Sequence, residues 1–288
     1  IAQQEPLRKG ISYLEKRGYK VKLGRYLDKK YGYFAGTDIE RSADIQMMFA
    51  DPEVSLIFCT RGGSGGLRLL DHLDFNIIGK NPKPLVGYSD VTTLQLALWK
   101  KCSLPSFSGP MVAVEMGKGI DPFTEKQFWG LLRNRRPEYL YTFKNTTVEV
   151  FRNGKATGTL LGGCLSLVSH LLGTPYSPDY SGAVLFLEDI GEKPYKIDRY
   201  LAHLKQAGVF DQINALILGD FIDCESEKNE RSFTVSEIFH DYFNDALFPV
   251  VQNFPYGHGD IKMTMPIGVS ATLDTVRKQI KFSNPFIA

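Results

Sequence analysis

Ser89 stands in VGYSDVTT, between a stretch that reads as the end of a strand and one that reads as the start of a helix. A sharp strand-to-helix turn exposes a side-chain hydroxyl and points the next backbone amide at any oxyanion formed there, which is the placement a nucleophile needs. The G-x-S-x-G signature is absent, and a serine ahead of an aspartate at a helix start is equally a common N-cap. The motif by itself leaves both roles open.

Two further places carry reactive side chains. Glu188 and Asp189 close the apolar run AVLFL, so one of them sits at the carboxyl end of a strand, where the sites of open α/β sheets gather. Such a pair either does chemistry or caps the following loop. His258, in FPYGHGD, is flanked by glycines that leave its imidazole approachable, after the strand candidate FPVVQNF. A turn histidine with a satisfied hydrogen bond is the other reading. His72, His170, His203 and His240 fall in helical stretches, where packing or solvation is the default.

Gly62, Gly63, Gly65 and Gly66 form a glycine-rich turn in CTRGGSGGLRLL, again after a strand and before a helix. Backbone amides at such a turn can bind negative charge, although a tight connection without a ligand explains the same residues. The spacing matches neither a phosphate loop nor a dinucleotide fingerprint. With no H-E-x-x-H, no close histidine pair and no carboxylate cluster at ligand spacing, neither a metal nor a cofactor is expected.

The elements that must position these groups are legible in outline. Helical and extended patterns alternate through the first half, which is how a parallel α/β sheet is written. Leu7, Ile11 and Leu14 share a helical stripe, YKVKLG reads as a short strand, and Thr37 with Glu40 makes a capping box opening DIERSADIQMMFA. VSLIFCT reads as a buried strand, LRLLDHL as a helix, KPLVGYS as a strand and DVTTLQLALWKK as a helix. Between about residues 135 and 160 the text turns β-branched and aromatic, with Asn153-Gly154 as a hairpin signal, and suggests a domain crossing. Beyond it CLSLVSHLLG is helical, AVLFLED a strand, YKIDRYLAHLKQAG an amphipathic helix, ALILGDF a strand, and MTMPIGVSATLDTVRKQIKFS a return to extended pairs.

A net charge of +2 from 34 basic and 32 acidic residues gives no concentrated field for nucleic acid or anionic lipid, so a small molecule or peptide is the expected partner. Cys59, Cys102, Cys164 and Cys224 stand apart and read as reduced thiols. No run of 18 apolar residues suggests a membrane span, and the opening residues lack the apolar core of a signal peptide.

Together the motifs resemble the LD-carboxypeptidase family of serine peptidases, which also holds the microcin C immunity peptidases. In order, they are YFAGTDIERSADIQMMFADPEVSLIFCTRGGSGGLRLLDHLDF, LVGYSDVTTLQLAL, FSGPMV, GTLLGGCLSLVSHLLGTPY, LFLEDIGEKPYKIDRYLAHLKQAGVF, LILGDF and FPYGHGDIKMTMPIGVSATLD. The resemblance implies an α/β fold with a Rossmann-like parallel-sheet domain over residues 1–140 carrying the nucleophile. A crossing over 141–158 then leads to a smaller β-rich α/β domain over 159–288. It implies a triad of Ser89, Glu188 and His258, with the backbone amides of Gly63 and Asp90 as oxyanion hole. Ser64 and Ser108 stand where members often carry an aromatic and a histidine beside the substrate, and Arg61 is the candidate for a substrate carboxylate.

The implied reaction is hydrolysis between the L-centre of a diamino acid and terminal D-alanine in murein tetrapeptides, a step of cell-wall recycling. The alternatives are detoxification of a microcin C-type peptidyl-nucleotide, a non-catalytic binding homologue, and a nucleotide-binding regulator built on the glycine turn. No added loop with an aromatic for stacking a nucleobase is evident, which favours murein. A homodimer in the cytoplasm is implied, or in the periplasm if a signal precedes residue 1. The strand that the family places before its first helix is missing, so the numbering is expected to start inside a longer protein.

Overall fold

In the computed structural model, residues 2–144, 146–227 and 231–284 are described. In chain order the first half comprises α1 (Gln4–Lys16), α2 (Asp38–Ala50), β1 (Ile57–Phe58), α3 (Gly66–Leu69), α4 (Phe75–Lys80), β2 (Leu85–Gly87), α5 (Val91–Cys102), β3 (Ser106–Ser108) and α6 (Pro122–Leu132). The second comprises β4 (Glu138–Thr142), β5 (Glu149–Arg152), β6 (Lys155–Cys164), α7 (Leu165–Leu171), β7 (Val184–Ile190), α8 (Pro194–Gln206), β8 (Ala215–Ile222), α9 (Val235–Phe243), β9 (Val250–Gln252), β10 (Met265–Ile267), β11 (Ser270–Asp274) and β12 (Gln279–Ser283).

Two sheets result. The first runs β1-β2-β3 in parallel and is completed by β10, which arrives from the far end of the chain and pairs antiparallel with β3. The second has eight strands in the order β4-β12-β11-β6-β7-β8-β9-β5, with parallel pairing from β6 to β9 and antiparallel pairing outside it. This mixed α/β architecture is the fold class expected from the alternating pattern.

Helix α5 is the hinge of the packing, touching β2, β3 and β10 on one side and β6 and α7 on the other. Every residue from Val91 to Leu98 is buried, as befits a helix covered all round. Two of its polar side chains bond to the flanking strands: Gln95 Nε2 donates to the carbonyls of Gly87 (3.1 Å) and Phe107 (2.9 Å), and Thr92 Oγ1 accepts from the Cys164 amide at 3.2 Å. The helix that begins behind Ser89 therefore also joins the two sheets.

Some expectations fail for identifiable reasons. Asn153-Gly154 links β5 to β6 but makes no hairpin, because the Gly154 amide and carbonyl bond to Thr275 Oγ1 (2.9 Å) and the Thr275 amide (3.0 Å). Its flanking strands lie far apart in the sheet, β5 on β9 and β6 between β11 and β7. YKVKLG forms no strand; just beyond it, the amides of Arg25 and Tyr26 donate to the Asp44 carboxylate on α2 at 2.8 and 2.9 Å. VSLIFCT contributes only the two residues of β1. The Thr37 and Glu40 capping box is present. Among the described residues, no helix is long and apolar enough to cross a membrane.

Candidate active site

Ser89 sits between β2 and α5 with φ +65°, a left-handed conformation that costs an L-residue about 1–2 kcal/mol. Helix hydrogen bonds on both sides hold it there: the Val91 amide donates to the Tyr88 carbonyl at 3.4 Å and the Thr92 amide to the Ser89 carbonyl at 2.8 Å. Among the described residues the side chain caps no backbone amide. Its hydroxyl pairs with His258 Nε2 at 2.9 Å.

Glu188 and Asp189 separate cleanly. Strand β7 pairs in register with β8 up to Leu187 opposite Leu218, then resumes at Asp189 opposite Phe221, with the extra residue on β8. Such a bulge re-aims side chains. Glu188, fully buried, places Oε2 2.7 Å from His258 Nδ1. Asp189 instead accepts from the amides of Ser166 (2.7 Å) and Ile190 (2.9 Å) and from Cys164 Sγ (3.3 Å), so it caps the start of α7.

Burial raises the Glu188 carboxyl above its ordinary value, offset by the hydrogen bond and charge of His258. Oε1 has no hydrogen-bond partner among the described residues. Since an ionised carboxylate only accepts, Nδ1 carries the proton toward Glu188 and Nε2 is left to accept from the serine hydroxyl.

Close backbone approach makes the cluster. A methyl at Gly62 would start 2.8 Å from Ser89 Cβ and 3.0 Å from its Oγ, and one at Gly257 would start 2.9 Å from Glu188 Oε2. Gly62→Ala is expected to displace the serine and lower turnover about a hundredfold with the fold intact, read from steady-state rates beside a circular-dichroism spectrum.

The other sequence candidates take varied places. Gly63 and Ser64 lie exposed on the turn beside Ser89, and Arg61 is exposed at its start. The amides of Gly63 and Asp90 have no hydrogen-bond acceptor among the described residues. The Asp90 carboxylate, raised in pKa by burial, accepts from the Gly66 amide at 2.8 Å and so straps the glycine turn to the start of α5. Ser108 is fully buried, its hydroxyl bonded to Tyr256 Oη at 2.6 Å.

Sequence reading passed over Tyr88, Glu115, Lys262 and Asp220. The Tyr88 ring meets the His258 ring edge-on with centroids 5.1 Å apart. Asp220 lies in the bulge of β8, and a side chain at Gly259 would begin 2.6 Å from its Oδ2. Burial pushes the Asp220 carboxyl up to about 6. A carboxyl raised on folding binds its proton more tightly in the native state, so its stabilising contribution is complete below pH 3.8 and lost as pH rises through about 6. Asp220→Asn is therefore expected to match the parent chain at pH 4 and to exceed its thermal midpoint by about 2–3 °C at pH 8, after allowance for partial solvent contact. Midpoints measured across that range check the sign.

Residues 1–109 match the family model of the LD-carboxypeptidase N-terminal domain and residues 157–273 that of the C-terminal domain. The chain belongs to the LD-carboxypeptidase family. It is 38% identical over 269 residues to a probable murein peptide carboxypeptidase of Bacillus subtilis, covering 93% of this chain and 84% of that one. The crystal structure of a muramoyltetrapeptide carboxypeptidase from Oxalobacter formigenes superposes with a TM-score of 0.87 at 33% identity, over 98% of this chain and 96% of that one. The microcin C7 self-immunity protein MccF of Escherichia coli is 28% identical, over 97% of this chain and 88% of its own. As an LD-carboxypeptidase family member, the chain presents its Ser-His-Glu contact between the two regions matched by the two family models, so neither region alone holds all three residues.

Proposed function

We propose that this chain is a serine-type LD-carboxypeptidase that hydrolyses the bond between an L-diamino acid and terminal D-alanine in murein tetrapeptides. The observation that carries the reading is the continuous relay from Ser89 Oγ to His258 Nε2 (2.9 Å) and from His258 Nδ1 to Glu188 Oε2 (2.7 Å). Residues 1–140 supply the nucleophile, 159–288 the base and its carboxylate, and 141–158 the crossing between them.

His258 takes the proton of Ser89 as the oxygen attacks the scissile carbonyl, and Glu188 stabilises the imidazolium that forms. The oxyanion is received by the amides of Gly63 and Asp90, which belong to the two turns strapped together by the Asp90 carboxylate. His258 then protonates the leaving amine, and water repeats the sequence on the acyl-serine. Arg61, on the exposed rim, is assigned the carboxylate of the departing residue.

Incubation with a murein tetrapeptide and, separately, with a peptidyl-nucleotide of the microcin C kind, followed by mass analysis, tests the substrate. Release of free D-alanine from the tetrapeptide is expected. Cleavage of the peptidyl-nucleotide alone would replace the substrate and keep the mechanism.

A further inference from the structure

The two halves of this machinery come from distant parts of the chain. Ser89 follows β2, whereas His258 lies in the loop between β9 and β10. The loop is tied to its own sheet by the bonds from Phe254 N to the Leu218 carbonyl (3.1 Å) and from Asp220 N to the Tyr256 carbonyl (2.8 Å), and these do not fix its distance from Ser89. The bond between Tyr256 and Ser108 reaches across upstream of His258. Downstream, β10 enters the sheet of Ser89, and between His258 and that strand Lys262 reaches across.

Lys262 is only 3% exposed. Its amide donates to Thr124 Oγ1 on α6 at 2.9 Å, and its ammonium donates to Glu115 Oε1 and, at 3.1 Å, to Tyr88 Oη. Tyr88 Oη donates to Glu115 Oε1 at 2.8 Å, and Glu115 Oε2 accepts the Met111 amide at 2.9 Å. The ammonium also lies 4.2 Å from the Tyr88 ring centroid, within cation–π range. Tyr88 thus touches Lys262 and, edge-on, His258, and it is the residue before Ser89. Glu115 is carried on a π-helical turn, Val112–Met116, an irregularity frequent at functional sites.

Taking two charges out of water is expensive, and apolar residues of similar volume generally stabilise a fold as well. A buried pair whose ammonium and carboxylate both bond to the tyrosine beside the nucleophile calls for another role. We propose that Lys262, through Glu115 and Tyr88, is a positioning residue that sets the register of His258 against Ser89. The inference rests on the reading of Ser89 as nucleophile. It assigns Lys262 no contact with substrate.

The test compares the parent chain with Lys262→Met and with Lys262→Met combined with Glu115→Leu, measuring thermal midpoint, peptide hydrolysis and the rate at which a fluorophosphonate labels Ser89. Lys262→Met leaves Glu115 buried without its counter-charge and is expected to melt earlier. The double variant is expected to recover the midpoint yet to keep kcat about a hundredfold low, with KM within about twofold and labelling slowed in parallel. Equal labelling and kcat in the parent and the double variant would overturn the positioning role and leave the nucleophile standing. An unlabelled Ser89 in the parent chain would overturn both.

Discussion

Ser89→Ala is expected to lower turnover about a million-fold while moving the thermal midpoint by no more than about 2 °C. The loss is large because the hydroxyl is the only protein atom the mechanism asks to form a bond to carbon, and the oxyanion amides alone supply a small residue of catalysis. The effect on stability is small because the side chain is partly exposed and, among the described residues, bonds only to His258, and because alanine meets the same left-handed backbone that serine already tolerates. Turnover should be followed by release of the C-terminal residue and stability by calorimetry on the same preparation. Activity within tenfold of the parent would show that another group attacks the carbonyl.

Glu188→Gln separates activity from stability in the opposite sense. A neutral amide cannot balance the imidazolium and can hold the ring in the wrong tautomer, so kcat should fall about ten-thousand-fold. The folded protein, however, keeps an anion in a fully buried position with one oxygen unpartnered, which raises its carboxyl pKa. That penalty is absent at low pH, where the acid is neutral in both states, and grows as pH rises through the raised value. The variant should therefore hold or gain thermal stability relative to the parent between pH 5 and pH 8 while losing its activity, the exchange expected where a site is arranged for chemistry. Parallel profiles of midpoint and kcat against pH check both signs. A variant that melts markedly earlier at pH 8 would contradict the desolvation account.

How much of this was legible depended on whether the decisive partner was local. The capping box at Thr37 and Glu40, the apolar run of β7 and the periodic stripe of α1 are written within a few residues, and each formed where its pattern predicts. The opposite holds for Asn153-Gly154, whose turn chemistry is sound yet whose partner, Thr275, lies 121 residues on. At Ser89 the local pattern fitted a helix cap as well as a nucleophile; only its long-range bond to His258, 169 residues away, shows where the hydroxyl points. Family resemblance bridged that gap for Ser89, Glu188 and His258.

It did not extend to Lys262, whose partners Glu115 and Tyr88 are 147 and 174 residues distant, although a lone charge in IKMTMPIG was a usable signal. The local pattern left Glu188 and Asp189 open until the resemblance selected Glu188, since the choice depends on one extra residue in β8 that no alternation in β7 records. Ser108 was placed by motif alignment at the edge of the substrate, and the structure buries it under Tyr256. Residues adjacent to a motif share its depth in the fold only when the strand ends there.

The central claim is that one serine, activated from the other half of the chain, attacks the substrate. Peptide mapping by mass spectrometry after exposure to a fluorophosphonate tests it most directly, applied side by side to the parent chain and to His258→Ala. The account predicts a single adduct on Ser89 in the parent, formed at least about a thousandfold more slowly in the variant. An adduct on any other residue, or equal labelling of Ser89 with and without His258, would contradict it.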